Sequence, residues 1–316
     1  MWNLDAGDLL AVAQRKLDGV NVEAVRDEEE YRRQEYSALL APRGGPETDL
    51  YVELLAANDL GKTLSRYFSS VALVKKLRET RALAGFSRLL PPDPAGGADR
   101  IQQLKLDQKI DWLPATVVRG EGIFVQLEQT AVDEWLDRSG ALQRAASLSR
   151  NFNQRRASRG QQPRRVTAAF ILLHALAHSL INQLSFECGY GSASLRERLY
   201  CNTEEYSERM NGFLIYTASG DSEGTMGGLV RQGEPNRLLE TLATALRRAQ
   251  WCSSDPICIE TAGQGTDNAN LAACHGCLLI SETSCEEGNR LLDRAMLVGT
   301  PTHPGSGFFS SFLQNE

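Results

Sequence analysis

Trp251-Cys252-Ser-Ser-Asp-Pro-Ile-Cys258, then fifteen residues rich in Gly, Asn and Thr, then Cys274-His275-Gly276-Cys277, is the stretch on which the reading of this chain turns. Zinc takes four ligands tetrahedrally, and a Cys-x-x-Cys turn lets two thiolates reach one ion. The first pair is wider, Cys-x5-Cys, and Cys285, eight residues past Cys277, is a further thiol that could stand in for Cys252 or Cys258. His275 lies inside a turn too tight to supply a third ligand comfortably. A redox Cys-x-x-Cys of the thioredoxin kind opens a helix after a strand, whereas this one sits among glycine-rich loops. The expectation is a structural zinc ion held by Cys252, Cys258, Cys274 and Cys277. A catalytic zinc, with three protein ligands and a water, is the lesser reading.

All seven cysteines fall at or after position 188, and Cys188 and Cys201, remote from the cluster, read as small core residues. The chain has 316 residues, enough for a sizeable core, and 40 acidic against 34 basic side chains leave a net charge of -6. Bulk charge therefore gives no reason to expect a nucleic-acid or membrane partner. The start, MWNLDAGDLL, carries Asp5 and Asp8 where a secretory signal has a basic cap and an apolar stretch. A cytoplasmic location is expected, where clustered cysteines are more often metal ligands than disulfides. The apolar run Ala168 to Ile181 is interrupted by His174 and His178 and is shorter than the roughly 20 residues a bilayer span needs, so no membrane segment is expected.

Further outward, the pattern predicts an α+β fold of mixed helices and short strands ending in a cysteine-rich zinc-binding loop region. Leu9, Leu10, Val12, Ala13 and Leu17 recur at helical spacing, and Asp27 to Glu35 reads as a solvated helix leading into Tyr36, Leu39 and Leu40. Residues 48–90 read as mostly helical with a possible strand, closed by a loop at 91–98. Trp112 to Val118 and Ile123 to Leu127 read as two short strands around the Gly120-Glu-Gly122 turn, a hairpin. Helix is expected over 131–149. The polar, arginine-rich stretch 149–165 reads as an exposed linker, dividing a mixed region at 1–150 from a zinc-binding region at 166–316. In the latter, 166–186 is a helix apolar nearly all round, Gly212 to Thr217 a buried strand and 236–250 a helix.

Other motifs invite chemistry. His174-Ala-Leu-Ala-His178 puts two imidazoles on one helix face, as in zinc metalloproteases, but Ala175 stands where the general base belongs, so hydrogen bonding within a packed helix is expected. Ala56-x4-Gly61-Lys62-Thr63 fits only a permissive P-loop and has no glycine before Gly61 to wrap a phosphate, so no nucleotide site is expected. Ser219 to Gly228 is a glycine-rich turn whose Asp221 and Glu223 lack a visible partner constellation. Between Ser139 and Phe186 there is no Asp or Glu. Arg150, Arg155, Arg156, Arg159, Arg164 and Arg165 fall there with Asn151, Phe152, Asn153 and Gln154, a mixture suited to phosphates and unstacked bases. Lys75, Lys76, Arg78, Arg81 and Arg88 form a second basic run.

His174-Ala-Leu-Ala-His178, Cys188 to Tyr200, Gly212 to Thr217, Gly220 to Arg231, Trp251 to Pro256 and Asn270 to Cys277 together resemble the MrfA-like zinc-binding domain at the carboxyl end of some bacterial DNA helicases. Within that group the chain is most similar to the DrmB-like helicase-partner subunits of DISARM anti-phage systems. Weaker similarity runs upstream through Arg32 to Tyr36, Leu83 to Phe86, Leu113 to Ala115 and Arg119 to Phe124. The resemblance implies a structural zinc on the same four cysteines, DNA binding beside a DrmA-like superfamily 2 helicase, and no active site in this chain. DrmB-like proteins are longer, so the chain corresponds to their carboxyl-terminal part.

The functional expectation is thus a non-enzymatic, zinc-stabilised accessory subunit contacting DNA and a helicase in antiviral defence. Two alternatives differ in kind. One is a zinc-dependent hydrolase or nuclease built from His174, His178, Asp221 and Glu223. The other is a protein-interaction scaffold whose arginines meet an acidic surface.

Overall fold

Apolar residues alternating with a period of two build the centre of the molecule. Strands β1 (Tyr51–Ala56), β2 (Phe68–Ala82), β3 (Ala115–Leu127), β4 (Leu195–Cys201) and β5 (Asn211–Thr217) pair antiparallel in the order β1-β2-β3-β5-β4. This computed structural model describes residues 22–83, 85–86, 102–103, 112–138, 140–191, 193–202, 209–217 and 228–314. Val71, Leu73, Ile123, Val125, Leu199, Phe213 and Ile215 point from one face into the larger core. Ala72, Val74, Phe124, Tyr200 and Leu214 point from the other, where they meet Tyr36 and Leu39 of α1 (Val22–Leu39). The sheet is therefore covered on both faces, as its alternation of two apolar sets requires.

The larger core is organised by α4 (Ala168–Cys188), preceded by α2 (Gln129–Arg138) and α3 (Ala141–Ser158) and followed by α5 (Pro235–Ala249). Thr167 caps α4, its hydroxyl accepting the Phe170 amide at 3.1 Å, and Gly189 ends it at φ 70°, a left-handed conformation that costs glycine little. Because α4 is apolar around its circumference it must be covered on all sides. It packs on β4, β5, α5 and the helical turn Ala295–Val298. By length and composition this helix could cross a bilayer, but most of it is buried inside the fold, which marks a core helix.

The α+β class is as expected, and so are α1, β5, α4 and α5; three local readings are corrected. The described residues of 48–90 are mainly strand, β1 and β2, joined by helical turns of which Gly61–Leu64 is one. No hairpin forms at Gly120-Glu-Gly122: β3 is one strand of 13 residues running through both glycines. The glycines are there because β5 comes close. A Cβ at Gly120 would lie 2.3 Å from the Thr217 carbonyl oxygen and one at Gly122 2.7 Å from that of Ile215. The supposed linker 149–165 is helical up to Ser158, with Phe152 buried against the core. The sheet draws β1 to β3 from before this stretch and β4 and β5 from after it. The readings for Leu9 to Leu17, for 91–98, for Arg88 and for Ser219 to Gly227, with Asp221 and Glu223, fall outside the described residues.

Candidate metal centre

Beyond α5 the chain is held by turns rather than by regular elements, and these turns bring the four expected cysteines together. The Cys252 and Cys274 sulfurs lie 3.4 Å apart, Cys258 and Cys277 3.8 Å, and Cys274 and Cys277 3.8 Å. All four ligand atoms fall within 4.8 Å of one another. Tetrahedral thiolates at zinc–sulfur bonds of about 2.3 Å sit about 3.8 Å apart, whereas a disulfide holds its sulfurs at about 2.05 Å. The donor set and the spacing both fit a structural zinc ion with no open position.

The turn carrying Cys252 and Cys258 is fixed from beneath. Asp255 accepts the Cys252 amide at 2.8 Å and the Ile259 amide at 3.1 Å. Its carboxylate in turn pairs with Arg294, which is 1% exposed and also donates to the Ala249 carbonyl at 2.7 Å. The second knuckle is anchored by backbone exchange between 269–272 and 291–294, through Leu271 to Leu292, Leu291 to Ala269 and Arg294 to Ala272. Buried Asn270 completes that clasp, donating to the Asn289 carbonyl at 2.7 Å and accepting the Leu292 amide at 3.0 Å. The Cys274 amide and the Gln264 side chain donate to the Cys277 and Cys258 sulfurs at 3.3 and 3.5 Å.

Electrostatics points the same way. Burial, then the negative charge of Cys258, Cys274 and Cys252, raises the Cys277 thiol well above its ordinary range. At Cys274 burial pushes upward too, but hydrogen bonds from the Cys252 thiol and the Gly276 amide prevail and lower it. Four crowded sulfurs cannot all ionise alone; a shared divalent cation removes that conflict.

Other candidate residues fall elsewhere. His174 and His178 have no exposed surface and face Glu197 of β4 and Cys285, a thiol that takes no part in the four-cysteine cluster. Glu197 was not singled out from the sequence, although its alternation with Leu195 and Leu199 puts it on the buried face. A strand does precede Gly61-Lys62-Thr63, but the helix there is a single turn of four residues and brings no further glycine. The described part of the second basic run lies on β2, where Lys75 pairs with Glu53, Arg78 with Asp49 at 2.9 Å and Arg81 with Glu79 at 2.5 Å.

The acid-free arginine window divides. Arg159 holds Asp267 through bonds of 2.9 and 2.6 Å, and Arg164 binds Glu287 at 2.8 Å while covering the Phe170 ring. Arg156 stacks on Phe152 and donates to the Gln162 carbonyl at 2.7 Å. Arg144 grips the fully buried Asp293 at 2.6 and 2.9 Å. Arg150, Arg155 and Arg165 are exposed. Arg150 and Arg165 line a groove of about 900 Å³ together with Asn153, Gln154 and Arg209.

A segment closed around four cysteines and packed on a helix-and-sheet core defines a zinc-binding domain, and residues 176–278 match the family of the MrfA Zn-binding domain. The chain is 38% identical over 250 residues to the DISARM protein DrmB of Bacillus paralicheniformis, a match covering 78% of this chain and 44% of that relative. The chain thus spans less than half the length of the curated relative it matches.

Proposed function

We propose that this chain is a zinc-stabilised accessory subunit of a DISARM-type anti-phage system, contacting DNA next to a partner helicase. The observation that carries the reading is the closed four-cysteine site inside a segment matching the MrfA Zn-binding domain, in a chain similar to a DISARM protein. A site with four protein thiolates leaves zinc no position for water, which favours a structural over a catalytic ion. The exposed Arg150 and Arg165 in the groove, with exposed Arg155 on the same helix as Arg150, supply positive charge, and Asn153 and Gln154 supply amide donors for a phosphate backbone, on a chain whose overall charge is negative. A cytoplasmic location, where thiols remain reduced, goes with this reading.

The test is fluorescence anisotropy of labelled duplex DNA across a salt series. Replacing Arg150, Arg155 and Arg165 together by Ala should make the slope of log K against log salt shallower by about 2.7, at about 0.9 per phosphate contact. A slope unchanged from the parent chain, with acidic protein competing as well as DNA, would turn the surface into a protein-docking face.

A further inference from the structure

A second set of metal-ligating side chains lies apart from the four-cysteine cluster and takes no part in the reading above. His174 and His178 of α4, Glu197 of β4 and Cys285 each offer one atom, all within 4.8 Å of one another and all buried. The His174 Nε2 lies 3.2 Å from the Cys285 sulfur and 3.1 Å from Glu197 Oε1, and the His178 Nε2 lies 3.4 Å from that same oxygen. Ligands at about 2.0–2.3 Å from a tetrahedral ion sit about 3.3–3.6 Å apart.

The outer atoms fix what the inner ones can be. His174 Nδ1 lies 3.3 Å from the Leu291 carbonyl and His178 Nδ1 3.0 Å from the Leu278 carbonyl. A carbonyl only accepts, so each Nδ1 carries a proton and Nε2 is the atom each ring turns toward Glu197 and Cys285; with a divalent cation bound there, each Nε2 would give up its proton and offer its lone pair to the ion. This is the arrangement by which outer partners orient metal-binding histidines. The Glu286 amide donates to Glu197 Oε1 at 3.2 Å and the Asn289 amide to the Cys285 sulfur at 3.2 Å, which suits a carboxylate and a thiolate.

An ordinary hydrogen-bonded cluster pairs donors with acceptors one to one. Here both imidazoles converge on one carboxylate oxygen, while the other oxygen and the His178 Nε2 are buried without a hydrogen-bond partner. Their rings stand edge to face with centroids 4.5 Å apart, a costly approach for two imidazolium ions and an easy one for neutral ligands. Two neutral imidazoles, one carboxylate and one thiolate balance a divalent cation to zero net charge, the condition under which such a group is tolerated in a dry core.

We propose that His174, His178, Glu197 and Cys285 form a second closed metal site, of the nitrogen, oxygen and sulfur set that suits zinc, joining α4, β4 and the carboxyl-terminal segment. Four protein donors, all buried, make it structural.

The test is the zinc content of native chain purified without added metal, beside Cys285→Ser and Cys274→Ser. Two ions per chain are expected in the parent and one in C285S. One ion in the parent and none in C285S would still support the new site and remove the four-cysteine one instead. Equal zinc in the parent and C285S overturns it. Should C285S not fold, zinc-edge X-ray absorption on the parent decides. Two sites give about 2.5 sulfur and 1.5 nitrogen or oxygen neighbours per ion, and a shell of sulfur alone refutes the proposal.

Discussion

Charge at the level of single residues has two uses in this chain, and burial separates them. Asp293 is fully buried and held by Arg144, so Arg144→Ala strands a carboxylate in the core and should cost about 3–5 kcal/mol in urea unfolding. Arg150→Ala, on the exposed side of the same helix, should stay within about 0.5 kcal/mol. Near-equal midpoints for the two variants would contradict the division. The sequence makes the arginine window legible as a charge anomaly, but not its split, because Asp267, Glu287 and Asp293 lie more than a hundred residues downstream of their partners. The four zinc ligands were legible, since two pairs of thiols announce themselves by spacing. Glu197 was harder: it is a single acid in an alternating strand, and the groups that give it meaning come from α4 and from Cys285.

Among the elements, α4 was read almost to its ends, because an apolar surface all round a helix leaves few arrangements open. Leu176, with no exposed surface in the middle of that helix, should cost about 2–5 kcal/mol when cut to Ala, as measured by thermal or urea unfolding. β3 was misread because Gly120-Glu-Gly122 carries the local signature of a turn. The cause of those glycines is the carbonyl row of β5, which lies about ninety residues further on. Gly120→Val should therefore destabilise by about 1–3 kcal/mol through overpacking, although valine is a good strand former. A variant as stable as the parent would return the glycine to a local role. The strands at 51–82 were read as mostly helix with one possible strand for a related reason: short apolar runs look alike as helix or strand until their partners are known.

At the scale of the whole molecule, one sheet collects strands from both sides of the arginine-rich stretch, and the carboxyl-terminal segment is tied to α3 and the residues just after it. The ties are Arg144 to Asp293, Arg159 to Asp267 and Arg164 to Glu287. Within that segment the regular elements are only three to five residues long, so the order around Cys252 to Cys277 depends on the knuckle contacts and on zinc. The negative overall charge and the basic surface are compatible because they belong to different regions: acids gather on α1, while exposed arginines sit on and just after α3. The central claim is that a zinc ion on the four cysteines holds this segment in its fold. Amide hydrogen exchange on native protein before and after metal removal by a strong chelator tests it most directly. Protection should fall sharply across residues 250–294 while β2 and β3 keep theirs; unchanged protection in that segment after the zinc has gone would contradict the account.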